Sequence, residues 1–192
     1  MKIKPFRIFI MLMLIVLFAA IWQSIYKEGI LKAAYPQRYN EYVAKYAQQS
    51  KIEPALVFAV IKSESGFNPA ANSGKRAKGL MQLLPETFEW AQMLVPPPQK
   101  YTSSDLNTPE INIRYGTIVL SSLLSEFGSA DTALAAYYDG RGNVNKWLAD
   151  KRYSKNGRSL DYIPDDNTRA YVKKVLETEK MYIKLYYKQQ GV

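Results

Sequence analysis

The side chains able to move a proton in this chain are few in kind. It contains no histidine and no cysteine, so Ser-His-Asp and Cys-His nucleophilic sites are impossible, and a zinc or copper site would lack its usual ligands. Proton transfer falls to carboxylates, lysines, tyrosines and hydroxyls. Among these Glu64 is distinguished by its surroundings, because it closes the stretch Pro54-Ala55-Leu56-Val57-Phe58-Ala59-Val60-Ile61-Lys62-Ser63-Glu64. From Ala55 to Ile61 that stretch is apolar on every side, the pattern of a helix buried all round. At helical spacing Glu64 falls one turn beyond Val60, on the face of Val57 and Ile61. An apolar wall disfavours the charged form of a carboxyl, so its pKa should rise toward the range of a useful general acid. The competing reading is an ordinary surface acid beside Lys62 at an exposed helix end, and spacing alone leaves both open.

The scaffold that must hold such an acid reads as helical almost throughout. Tyr39, Val43, Tyr46 and Ala47 recur at three- and four-residue spacing and predict a helix over about 37–49. Pro54 suits the first turn of a second helix that Gly66 ends after about Ser65. Residues 66–79 hold Gly, Asn, Pro and Ser and read as a loop. Pro85 opens a short helix to about Leu94, and Val95-Pro96-Pro97-Pro98 breaks it. Thr108-Pro109-Glu110 supplies a cap, a first-turn proline and an early acid for a long helix to about Phe127. Helices at about 130–138, 143–150 and 166–188 complete an all-α fold with no convincing strand.

Composition sets the outer limits. The chain of 192 residues is 47% apolar and 13% aromatic, without internal repeat or low-complexity tract, which excludes disorder and fits one ordinary domain with a real core. Of the net charge of +9, Lys2, Lys4 and Arg7 carry three, and the other six are spread without a basic run. That spread reads as a solvated basic surface, one that suits an anionic polymer such as a bacterial cell wall, and gives no nucleic-acid site. The three N-terminal charges precede an uncharged, mostly apolar stretch from Ile8 to about Ile25, near the length that crosses a bilayer. A cleaved signal would want a small-x-small site, whereas Ala19-Ala20 is the only small pair and Trp22 and Tyr26 suit an interfacial anchor. The expected organisation is a membrane anchor over 1–25 with its basic end in the cytoplasm, a linker over 26–36 and a domain over 37–192 outside. Without cysteine there is neither a lipid attachment site nor a disulfide.

Three motifs carry a resemblance. Glu64-Ser65-Gly66-Phe67-Asn68-Pro69, then Gly79-Leu80-Met81-Gln82, then Ala135-Ala136-Tyr137 resemble the lytic transglycosylase domain of the soluble lytic transglycosylase type. The likeness runs from about Tyr39 to Tyr171 and includes Asp105-Leu106, Asn112-Ile113-Arg114-Tyr115-Gly116, Ile163-Pro164, Thr168-Arg169 and Tyr171-Val172. It implies a lysozyme-like helical fold that cleaves the MurNAc–GlcNAc β-1,4 bond of peptidoglycan without water. Hydrolytic glycosidases usually need two carboxylates. The resemblance instead implies Glu64 alone, as acid toward the glycosidic oxygen and then as base toward the sugar's own C6 hydroxyl, closing a 1,6-anhydro ring. The substrate's N-acetyl group takes the place of the second carboxylate.

By the same resemblance no cofactor or metal is expected, and the partners are glycan strands and, through the anchor, the membrane. Ser65, Ser73, Met81, Gln82, Tyr137 and Tyr171 match substrate- or acid-facing positions, while Leu80 and Leu83 are assigned to the core. On their own terms Ser65 could finish the helix, Ser73 make a turn, Met81 fill the core and either tyrosine simply pack. Three positions depart from the family pattern: Arg76 replaces a small residue, Tyr138 stands where Ala-Tyr-Asn has Asn, and Asn167 stands where a second acid often precedes Thr-Arg. Tyr138 is still expected to line the substrate site. Asp139, Asp165 and Asp166 read as turn and N-cap residues. A wall-binding module without catalysis and a water-using lysozyme remain as alternative functions.

Overall fold

The structure, a computed structural model, describes residues 5–74 and 76–187. Two units separate, one ending at Pro36 and the other starting at Gln37. The first is a single helix, α1 (Pro5–Ala34). From Phe9 to Ala34 it runs 26 residues with a mean hydropathy of 2.2 over its most apolar window, none of which is buried. Among the described residues it is the one helix long and apolar enough to cross a membrane. The helix also covers 26–34, within the expected linker; there Glu28 and Lys32 pair at 2.6 Å one turn apart, and the helix stops just ahead of Pro36. Lys2 and Lys4 lie outside the described residues.

The second unit is all-α. Its helices are α2 (Asn40–Ser50), α3 (Pro54–Ser65), α4 (Pro85–Leu94), α5 (Pro109–Phe127), α6 (Ala130–Asp139), α7 (Arg141–Ala149) and α8 (Asp166–Tyr182). Proline opens α3, α4 and α5, where its missing N–H costs nothing, and Gly66 and Gly128 close α3 and α5 in the left-handed conformation. Asp165 caps α8 by accepting from the Thr168 N–H at 2.7 Å. Among the described residues no strand forms, only isolated bridges of Lys78 with Asn72 and Leu83 inside the loop between α3 and α4.

The element ends differ from expectation for local reasons. Tyr39 takes a left-handed φ of 61°, so α2 starts at Asn40 instead of near residue 37. After Gly140, with φ 88°, α7 begins at Arg141 and not at residue 143. The last helix changes to a π-helical turn over Ile183–Tyr187, and the expected end at residue 188 lies outside the described residues. A 3-10 turn at Asp105–Asn107 is too short to leave any periodicity in the sequence.

At the centre lies α3, with Val57, Phe58, Ala59, Val60 and Ile61 at 0% exposure. It packs against α8 and α2, while α5 packs against α2, α4 and α6. The loop from Gly66 to Leu84 is pinned to α5 by Asn112, which is fully buried. Its Oδ1 accepts from the Met81 N–H at 2.7 Å, and its Nδ2 donates to the carbonyls of Leu106 at 2.8 Å and Lys78 at 2.9 Å. Gly79 is required beside it: φ is +76°, and a Cβ there would collide with the Leu106 carbonyl oxygen and the Asn112 side chain. Gly116 on α5 likewise leaves room for the Met81 side chain.

Candidate active site

Because α3 is buried to its last turn, Glu64 emerges from the core with its carboxyl only partly exposed. From α8, Tyr171 meets it, donating its phenolic hydrogen to Glu64 Oε1 at 2.7 Å. One turn further, the Lys174 ammonium donates to the Ser63 carbonyl at 2.9 Å. Burial pushes the Glu64 pKa above the ordinary carboxylate value, and the Tyr171 hydrogen bond and the Lys174 charge pull partly against it. Burial and the Glu64 charge push the Tyr137 and Tyr171 phenols well above their usual range, so both remain neutral donors at working pH.

Helix α6 supplies the other tyrosines. Tyr137 donates to the Met81 carbonyl at 2.7 Å, tying α6 to the loop that follows α3. Tyr138 is 45% exposed, and its ring stacks on Tyr171 with centroids 4.5 Å apart and planes 23° from parallel. Glu64, Tyr171, Tyr137, Tyr138 and the Met81 backbone thus converge from three helices and the loop between α3 and α4.

The remaining expected residues behave differently. Ser65 Oγ lies 2.7 Å from the Leu80 carbonyl and 3.1 Å from the Ile61 carbonyl, so it fastens the end of α3 to the loop. Ser73 Oγ accepts from the Ala77 N–H at 3.1 Å within its turn. The Met81 side chain is fully buried with Leu80 and Leu83. Gln82, at φ 49°, spends its amide hydrogens on the Gly79 and Ala71 carbonyls at 2.8 and 3.0 Å, which leaves its Oε1 as the acceptor it can offer a ligand. Arg76 pairs with Glu86 at 3.4 Å, Asn167 is exposed in the first turn of α8, and Asp166 pairs with Arg169.

Beside the tyrosines lies a cavity of about 490 Å³, lined by Gln82, Tyr137 and Tyr138 and by three residues that sequence reasoning missed, Glu86, Trp90 and Arg141. The Arg141 guanidinium sits 5.5 Å from the Trp90 ring centroid and pairs with Glu126 at 2.9 Å. Glu86 and Trp90 are four residues apart on α4, a spacing that could have shown them sharing a face. Among the described residues no three carboxylates gather as metal ligands would.

A lysozyme-like helical domain is the class that this all-α core and its relatives define. Residues 41–160 match the family model described as "Transglycosylase SLT domain", and the chain belongs to that family. It is 32% identical over 154 residues to a soluble lytic murein transglycosylase of Salmonella typhimurium, covering 79% of this chain and 24% of that one. It is also 32% identical over 174 residues to the membrane-bound lytic murein transglycosylase C of Haemophilus ducreyi, covering 78% of this chain and 46% of that one. Among solved structures, the 70 kDa soluble lytic transglycosylase of Escherichia coli superposes with a TM-score of 0.73 at 29% identity, over 82% of this chain and 26% of that one. An inactive Glu-to-Gln mutant of the lytic transglycosylase Slt of Pseudomonas aeruginosa gives 0.71 at 33% identity, over 80% of this chain and 25% of that one. The chain therefore spans about a quarter of the soluble relatives and under half of the membrane-bound one.

Proposed function

We propose that this chain is a peptidoglycan lytic transglycosylase in which Glu64 acts first as acid and then as base. The observation that carries the reading is the Glu64 carboxyl, set in the apolar end of α3 and met by Tyr171 at 2.7 Å. With its charged form disfavoured by burial, Glu64 gives its proton to the glycosidic oxygen as the bond from the MurNAc C1 breaks. The carboxylate left behind accepts the Tyr171 hydrogen bond, which is stronger to the charged form. It then takes the proton of the C6 hydroxyl as that oxygen closes on C1, so Glu64 ends as it began and no water is consumed. The substrate's N-acetyl group supports the developing positive charge in place of a second acid. Two comparisons favour this reading: the murein transglycosylases among the relatives, and the inactivity of the Pseudomonas enzyme once a glutamate becomes glutamine.

Gln82, Tyr137 and Tyr138 are the proposed glycan contacts, with Trp90 and Glu86 extending the site into the cavity. Ser65, Ser73 and Met81 support it through the loop that they fasten. Residues 1–25 are proposed as a membrane anchor and the domain from 37 onward as lying outside the cytoplasm; the apolar α1 and the membrane-bound relative support this. Mass spectrometry of purified peptidoglycan treated with the full chain tests the function. Anhydro-muropeptides are expected. New reducing ends would mean a hydrolase, and no release would mean a binding module; either overturns the proposal.

A further inference from the structure

We infer that Tyr138 is a positioning residue of the acid: its ring, laid on Tyr171, holds that phenol against Glu64 and keeps water from the pair. This inference rests on the reading of Glu64 as the acid and adds a residue to its support. Tyr138 is among the few large apolar or aromatic side chains that the domain leaves exposed among the described residues, at 45%, whereas the Tyr171 ring beneath it is 8% exposed. The two rings are stacked at 4.5 Å, closer than any other aromatic pair among the described residues. Stacking of this kind adds to simple burial and restricts the buried ring to one orientation. For Tyr171 that orientation is the one that places its hydroxyl 2.7 Å from Glu64 Oε1.

The same ring lines the 490 Å³ cavity together with Tyr137 and Trp90, so Tyr138 forms a partition with the acid's hydrogen-bond partner on one side and the proposed glycan site on the other. An asparagine at 138 would offer an amide to that site but no face to lay on Tyr171, leaving an opening where water could reach the phenol and the carboxyl. A tyrosine closes that opening with the side chain itself. The titratable and charged groups that face Glu64 are Tyr171 and Lys174 from α8 and Tyr137 from α6, with Lys62 the nearest on its own helix. None of them is removed when Tyr138 is replaced, so a change in the titration of Glu64 in such a variant reports on the ring and on its hold over Tyr171. Loosening the Tyr171 hydrogen bond alone would raise the Glu64 pKa, but burial is the larger influence, so admitting water should lower it on balance.

The test compares the natural sequence with Tyr138→Asn, Tyr138→Ala and Tyr138→Phe. Glu64 is titrated by carbon NMR of side-chain-labelled glutamate in the full chain without substrate, which needs no activity at all. In Tyr138→Asn and Tyr138→Ala the Glu64 titration should move to lower pH, and in Tyr138→Phe, which keeps the ring, it should stay with the parent. On purified peptidoglycan, kcat in the first two should fall about tenfold or more, as for other losses of positioning, and the high-pH limb of the rate profile should move down with the titration. A side chain 45% exposed can be exchanged without unfolding the domain, and melting curves check this. An unmoved titration in both ring-deleted variants would overturn the inference, as would a shift to higher pH, which would mean that the ring does not shield the acid. Loss of the ring effect in Tyr138→Phe as well would overturn it too. Failure of the transglycosylase reading would show separately, as an absence of anhydro products from the parent chain.

Discussion

Replacing Tyr171 by phenylalanine removes one oxygen and leaves the ring, so it isolates the contact at 2.7 Å between the phenol and Glu64. The stack with Tyr138 and the packing of a residue 8% exposed should both survive. A hydrogen bond to a charged group in a site this enclosed contributes about 1.5–3 kcal/mol net. It strengthens as Glu64 gives up its proton, so the loss falls mainly on the transition state of proton transfer. At about 1.4 kcal/mol per factor of ten, kcat should fall roughly ten- to hundredfold, with KM little changed. The pH profile should move in the opposite sense to simple damage. The Tyr171 hydrogen bond favours the charged form of Glu64, so removing it raises the pKa further. The acid then stays protonated to higher pH, and the high-pH limb shifts up while the maximum drops. Steady-state release of muropeptides across pH, with melting curves for both proteins, gives the answer. A Tyr171→Phe enzyme with unaltered kcat and limb would refute the assignment of this hydrogen bond to the acid.

Glu64→Gln should also be more stable at neutral pH than the natural chain. The folded Glu64 pKa lies above its unfolded value, so the folded state binds more protons and loses stability as pH rises through that interval; the glutamine has no such loss. The difference should read as about 2–4 °C of Tm for each kcal/mol recovered and should vanish below the carboxylate range, as calorimetry at several pH values would show. Asn112→Ala breaks three hydrogen bonds, two of them shut away from water, and leaves the Met81 N–H unpaired, so denaturant unfolding should show a loss of about 2–4 kcal/mol. Trp90→Ala removes an aromatic wall of the cavity and the support of Arg141, and should weaken glycan binding about tenfold, measured as KM, with kcat nearly intact.

Helix starts were legible wherever a single residue fixes the backbone: Pro54, Pro85 and Pro109 each open a helix, and Gly66 and Gly128 each close one. The burial of α3 was legible too, because seven successive apolar residues before Lys62 leave no polar face to turn outward, while spacing left open whether Glu64 was enclosed with them. What escaped depends on contacts between elements distant in sequence. Asn112 could be placed on its helix, but nothing local tells that one amide would hold three backbone groups of the loop and the 3-10 turn. Ser65 and Ser73 have side chains equally suited to sugar or backbone, and only the approach of Leu80 and Ala77 decides what they bond here. The stack of Tyr138 on Tyr171 joins α6 to α8, and the cavity joins α4 to α6, so neither leaves a mark in the spacing of either helix.

The central claim is that one carboxyl performs both proton transfers, and the most direct measurement is the product mixture made by Glu64→Gln beside that of the natural chain. Glutamine keeps the shape and can still accept from Tyr171, but it has no proton of suitable acidity to give. Purified peptidoglycan incubated with each protein and resolved by mass spectrometry should show anhydro-muropeptides from the natural chain, released at least about a hundred times more slowly by the variant. Release at the same rate by a folded Glu64→Gln protein would contradict the account.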